Sequence, residues 1–243
     1  HVDALLRGLK AHDINMCAIT DHDCFDKDLY YALKEREGDG CQNKVLPGIE
    51  FSVSIRAGGK KPTVVHIVAI FDDRHPDLID GIAEVVCDEN GKPRYDDLNI
   101  GAFTEDGFTK VLRDIGLNAV LIGHEKSAGQ EAKRDVSSLG ANCASEVILT
   151  EFVDAVEIRN KRRELDIKRL IETYPKDAVP FVVGSDCQDW ATYPGKEGGE
   201  ISFSSLKCLP TFEGLLMAIT DPSRIKVGDC SFFSASSSKL DSL

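Results

Sequence analysis

Met16-Cys17-Ala18-Ile19-Thr20-Asp21-His22-Asp23 is the stretch on which the reading of this chain turns. A short apolar run, Met16 to Ile19, reads as a buried strand, and it ends in three polar, metal-capable side chains. The same grammar recurs three times. Val45-Leu46-Pro47-Gly48-Ile49-Glu50 ends in a carboxylate, Ala119-Val120-Leu121-Ile122-Gly123-His124 in an imidazole, and Pro180-Phe181-Val182-Val183-Gly184-Ser185-Asp186 in a carboxylate. Helical patterns separate these runs. They cover Val2 to about His12, Asp26 to Arg36, Pro76 to Cys87, Thr104 or Asp106 to Ile115, Glu164 to Tyr174 and Phe212 to Ile219. Strand and helix alternate, so the expected class is α/β with a largely parallel sheet or barrel. Sites in such folds gather at the carboxyl ends of strands, which is where the polar groups fall.

Other segments complete the chain. Phe51, Val53 and Ile55 alternate as in a half-buried strand, and Thr63 to Phe71 is an apolar strand interrupted only by His66. Phe152 to Ile158 is a further strand. Asp88 to Asn99 reads as a polar surface loop, and Lys126 to Ala144 as a long loop or lid.

The chain has 243 residues, 42% of them apolar, which is enough for a full core. Its net charge of -12 argues against a free-standing, non-specific nucleic-acid binder, which needs a basic face. A nucleic-acid substrate stays open, because bound divalent cations offset local negative charge. Eight cysteines are scattered without a CxxC pair, so a zinc ribbon is not expected and free thiols in a reducing cytosol are. No signal peptide, lipidation motif or long apolar span is visible, and the expected location is cytoplasmic. Ser234-Ala235-Ser236-Ser237-Ser238 reads as a linker, and the chain as part of a longer protein.

Each polar strand end has a structural and a chemical reading. His22 between two aspartates needs partners that a merely solvated turn does not provide. Glu50, at the end of a buried run, costs several kcal/mol to desolvate unless it is paired or metal-bound. His66 inside Val64-Val65-His66-Ile67-Val68 has the pattern of a satisfied core histidine. His124 and Asp186 follow glycines, which let the backbone approach a bound group. Jointly, imidazole and carboxylate form a mixed ligand set for zinc, manganese or iron. Basic residues follow the strand ends. Lys126 lies just after His124, and Arg159 and Asn160 begin the most basic run, which reads as a solvated helix face or a phosphate contact. Trp190, the only tryptophan, reads as packing or as a platform for a base.

Taken in order, Ala18-Ile19-Thr20-Asp21-His22-Asp23, Pro47-Gly48-Ile49-Glu50, His66-Ile67-Val68, Gly123-His124 and Gly184-Ser185-Asp186 resemble successive motifs of the PHP (polymerase and histidinol phosphatase) superfamily. The resemblance spans nearly the whole chain. It implies a distorted seven-stranded α/β barrel and a phosphoesterase with up to three divalent metals (Mn, Zn, Fe or Mg). More narrowly, Val45 to Phe51, Ile122 to Ser127 and Pro210 to Leu215 resemble PHP domains fused to AAA- or SMC-like ATPases, including those of bacterial anti-phage systems. That likeness implies a PHP-like domain over residues 1–230 and a tail over residues 231–243 leading to an ATPase module. It implies a nucleic-acid or nucleotide substrate, a homo-oligomer and no membrane partner.

Carried over residue by residue, Glu50 matches the bridging carboxylate, and His66 and His124 match imidazole ligands that complete one metal site with it. Asp186 matches a ligand of the neighbouring metal, and His22 a ligand of the third. His22, Asp23 and Asp186 are then the expected catalytic groups. Lys126, Arg159, Asn160 and Gln188 are the expected substrate contacts. The sequence departs from the family at two places. The family opens with a strand bearing H-x-H, and His1-Val2-Asp3 is not that motif, so either that first strand is missing from this chain or the site lacks two imidazoles. Gly184-Ser185-Asp186-Cys187-Gln188 has Gln188 where the family commonly has a histidine, which weakens the third metal position. Those departures keep a degenerate PHP domain, acting as a regulatory or interaction module, as the alternative.

Overall fold

The computed structural model describes residues 2–38, 44–56, 62–124, 152–157, 180–185, 187, 189–195 and 203–227. Among them the fold is mixed α/β, with a curled half-barrel sheet and five α-helices. The chain runs α1 (Val2–Ala11), β1 (Met16–Ile19), α2 (Lys27–Lys34), β2 (Lys44–Ile55), β3 (Thr63–Phe71), α3 (Pro76–Val86), β4 (Phe103–Thr104), α4 (Glu105–Ile115), β5 (Ala119–His124), β6 (Ala155–Glu157), β7 (Phe181–Val182), β8 (Ser204–Leu206), α5 (Phe212–Thr220) and β9 (Ile225–Val227). The expected helix over residues 164–174 and the Ser-rich tail lie outside the described residues.

The main sheet follows the path β1-β2-β3-β5-β6-β7, with the short β4 also paired to β2. β1, β4, β6 and β7 make parallel pairs, as expected, but β3 is antiparallel to both of its neighbours, β2 and β5. Antiparallel neighbours need no crossover helix. β2 is one strand of 12 residues that continues straight through Glu50, so the apolar run and the alternating run are a single element.

Side chains on β2 and β3 alternate between two cores, as the two-residue period of a strand requires. Val45, Ile49, Phe51 and Val53 of β2, with Val65, Ile67, Ala69 and Phe71 of β3, pack under α1 to α4 in the larger core. Leu46 of β2, with Val68 and Ile70 of β3, joins Val120, Ile122, Ala155 and Val182 against Phe212, Leu215 and Ile219 of α5. Burial on both faces explains why these strands read as nearly continuous apolar runs. Glu50 and His66 have the parity of the second, smaller face.

Local signals set the helix ends. Asp26 caps α2 by accepting from Leu29 N, Thr104 caps α4 by accepting from Gly107 N, and Thr211 caps α5 by accepting from Gly214 N. Gly116 ends α4 in the left-handed conformation, at φ 74°. The antiparallel pair of β8 and β9, with α5 between them in the chain, was not legible in advance, because its three-residue strands carry too little pattern. No helix among the described residues is long and apolar enough to cross a membrane.

Candidate metal centre

The centre is built where the end of β1 runs alongside β2. The parallel register that pairs Ile19 with Pro47 continues past β1 and sets His22 opposite Glu50. Glu50 N donates to Asp21 O at 3.1 Å, and Asp23 N donates to Glu50 O at 2.9 Å. These bonds tie all three polar residues of the opening stretch to one position of β2. Gly48 permits the approach, since a Cβ there would lie 2.8 Å from Thr20 Cγ2 and 3.3 Å from both Ile19 O and Ala69 O.

β3 supplies the next group. In the antiparallel register Glu50 pairs with Val68 and Ser52 with His66, so Glu50 and His66 are diagonal neighbours. Their side chains meet, with His66 Nδ1 2.6 Å from Glu50 Oε1. His22 Nε2 lies 3.8 Å from Glu50 Oε2, and the rings of His22 and His66 stand edge to face at 4.8 Å. One ligand atom from each of His22, Glu50 and His66 falls within 4.8 Å of the others. The Glu50 side chain is 10% exposed and that of His66 13%, whereas that of His22 is 53% exposed. The set is thus a buried carboxylate and a nearly buried imidazole, approached by a second imidazole from the solvent side.

The reversal of β3 explains why a histidine inside a strand belongs here. β3 runs against its neighbours, so its amino-terminal half lies beside the carboxyl end of β5, and His66 pairs with His124 in register. The backbone position of His124 therefore adjoins the group. Asp186, Lys126, Arg159, Asn160 and Gln188 lie outside the described residues.

Asp23 differs from the expectation of a catalytic group. It is buried, with φ 51°, and both carboxylate oxygens face protein donors. Ser52 N donates to it at 2.7 Å, Ser52 Oγ at 2.6 Å and the Tyr95 hydroxyl at 2.8 Å. A carboxylate occupied in this way braces its surroundings and is badly placed to shuttle protons. Burial, followed by the bond to Asp23, pushes the Tyr95 hydroxyl well above the usual tyrosine range, which keeps it a donor. Asp21 sits beside the group with its carboxyl raised by partial burial and then by the charge of Asp26, against a lowering contribution from His22.

A cavity of about 1100 Å³ opens over the centre. Its walls include His22, Glu50, Val68 and Ile122 from the sheet side, Glu157, Gly184 and Ser185 at the ends of β6 and β7, and His12, Trp190, Tyr193 and Phe203 at the rim. Trp190 both lines the cavity and packs on the larger core.

Glu157 is a buried carboxylate on this wall that the sequence reading passed over. Its Oε1 accepts from Gly184 N at 3.0 Å, and a Cβ on residue 184 would lie 2.9 Å from that oxygen. The signal was present, since Ala155-Val156-Glu157 is another apolar run ending in a carboxylate. Tyr95 and Ser52 had no such signal, because their partner Asp23 is distant in sequence.

The donor chemistry fits a divalent ion: a buried carboxylate on β2, a nearly buried imidazole on β3, and an exposed imidazole from the segment that follows β1. In comparisons with known proteins the chain matches no protein-family model and no curated protein.

Proposed function

We propose that this chain is a PHP-type domain whose cavity houses a divalent-metal phosphoesterase site acting on nucleic acid or nucleotide. The observation that carries the reading is the convergence of His22, Glu50 and His66 within 4.8 Å. The half-barrel sheet, with this group near the carboxyl ends of β1 and β5, is compatible with a distorted seven-stranded barrel. Glu50 would hold the ion from the cavity wall with His66 behind it, and His22 from the solvent side. His124 and Asp186 would complete the set. A divalent ion there supplies Lewis-acid polarisation of a phosphoryl oxygen and acidifies a bound water. The metal is manganese, zinc, iron or magnesium, and the donor types favour the first three.

The protein's own groups do the rest. Backbone bonds to Asp21 and Asp23 and the pairing with β3 hold Glu50 in place beside both histidines. Lys126, Arg159, Asn160 and Gln188 are proposed substrate contacts. Fusion to an ATPase, a role in phage defence, homo-oligomerisation and a cytoplasmic location rest on the motif resemblance alone.

A second reading has its own support. The direct 2.6 Å contact of His66 Nδ1 with Glu50 Oε1 is also what a metal-free ion pair or hydrogen bond looks like. A degenerate PHP domain, serving as a regulatory or interaction module, would keep that pair. Metal content after dialysis against manganese or zinc separates the two. Hydrolysis of a generic phosphodiester and of single-stranded DNA with added manganese follows, with Glu50→Ala and His124→Ala as controls. Stoichiometric metal and cleavage lost in both variants support the enzyme. Full-length protein that takes up no metal and cleaves neither substrate overturns it.

A further inference from the structure

The strongest unused feature is the buried cluster behind His22. Asp23 is 4% exposed and adopts φ 51°, a left-handed conformation that aspartate tolerates better than most residues. Four contacts from three elements hold it there. Ser52 of β2 donates twice to the carboxylate, Tyr95 donates once, and Cys87 Sγ, at the end of α3, reaches Asp23 O at 3.5 Å. Among the described residues, Tyr95 is the donor to the Asp23 carboxylate that comes from the loop between α3 and β4. Its ring stands edge to face on Phe103 at 5.2 Å, and Phe103 on Phe51 at 5.7 Å, so the aromatic body is locked into the larger core beside Glu50. The loop is fastened in turn, since Arg94 N donates to Val86 O at 2.9 Å and Arg94 Nε to Cys87 O at 2.8 Å.

Among the described residues, His22 has no comparable support of its own. It is 53% exposed at the side chain and follows the last residue of β1 by a short irregular turn. Its place opposite Glu50 depends on the backbone bonds that flank it, Asp23 N to Glu50 O and Glu50 N to Asp21 O. Freeing the Asp23 carboxylate relaxes one of those two anchors. We infer that Tyr95 is a positioning residue for the metal centre, acting through Asp23 to hold His22 against Glu50 and His66. This rests on the metal-site reading above, and it assigns the α3–β4 loop to the site although none of its side chains belongs to the ligand group.

The test uses Tyr95→Phe, which removes one hydroxyl and keeps the ring on Phe103, and Tyr31→Phe, which removes a surface hydroxyl bonded to Asp80. Manganese and zinc are titrated calorimetrically into each. Histidine ring signals are followed by NMR in the metal-free proteins, with the His22 signal assigned from His22→Ala. Tyr95→Phe is expected to weaken metal binding by about tenfold, the lower end for outer-shell partners of metal ligands, and to shift the His22 signal. Tyr31→Phe should do neither. In a His22→Ala background, Tyr95→Phe should change affinity by less than about twofold, because coupled residues lose additivity. An equal loss in both backgrounds, or an unchanged affinity with an unmoved His22 signal, overturns the inference. If the unmutated protein binds neither ion, the metal reading fails instead, and the His22 signal alone decides: a shift in Tyr95→Phe supports the brace, and no shift overturns it.

Discussion

Gly48 and Asp23 show how single residues set the centre by backbone geometry as much as by chemistry. Gly48 stands inside a strand, where glycine is normally a weak choice. It is needed because the end of β1 passes so close that a methyl group would press on Thr20 Cγ2 at 2.8 Å. Gly48→Ala should therefore cost about 1–3 kcal/mol as an overpacked site, seen as a lower urea midpoint with an unchanged slope. At Asp23 the conformation and the acceptor role combine. Asp23→Asn keeps both tolerance of positive φ and one acceptor oxygen, and should cost about 1 kcal/mol. Asp23→Ala strips acceptors from Ser52 and Tyr95 and puts a less tolerant residue at φ 51°. It should cost at least about 3 kcal/mol. Equal losses for the two variants in urea unfolding would show that the carboxylate bonds carry little.

At the scale of elements, β3 decides how much could be read in advance. The apolar runs, the helix starts near Asp26 and Phe212, and the limits of β1 and β3 were legible from period and flanks. The direction of β3 was not, because a run buried on both faces looks the same in either orientation. That is why His66, read alone, resembled a core histidine: only pairing with β2 and β5 shows that the start of β3 lies beside the carboxyl end of β5. The far end of β3 has its own anchor. Asp73, just past Phe71, receives Lys34 of α2 at 2.6 Å and Lys44 of β2 at 2.5 Å. Burial pushes its carboxyl up, but the two ammonium groups prevail and hold it below the ordinary aspartate value. At the neighbouring Asp72 the guanidinium of Arg74 does the same. A depressed carboxyl stabilises the fold wherever it is ionised, above the unfolded value of about 3.9. That contribution disappears as pH falls through the lower folded value. Stability should hold between about pH 5 and 7 and fall below about pH 4. Asp73→Asn should be less stable at pH 6 and flatten the acid limb, as read from urea midpoints across that range.

For the whole molecule, the two-sided sheet places an all-apolar core under α1 to α4 and leaves the second face only partly filled by α5. The unfilled part is the cavity of about 1100 Å³, with Glu50 at its floor. The polar strand ends at His22 and Glu50 were legible in the sequence, but their meeting with His66 was not. The ring of His22 stands 4.8 Å from that of His66, across Glu50. The parallel register of β1 and β2 makes this so, and no local signal encodes a register between strands. If the group binds an ion in the folded state alone, mass action must raise global stability by about 2.7 kcal/mol at a hundredfold excess over Kd. Thermal unfolding in rising manganese or zinc should then show a midpoint that climbs with the logarithm of free metal. Glu50→Gln keeps the shape of the side chain but withdraws the charge shared by both histidines, and should abolish the climb. His22→Ala removes only the solvent-side imidazole, so the climb should persist at higher metal concentrations. A midpoint indifferent to metal in the unmutated protein would leave the His66–Glu50 contact as a structural pair and favour the non-catalytic module.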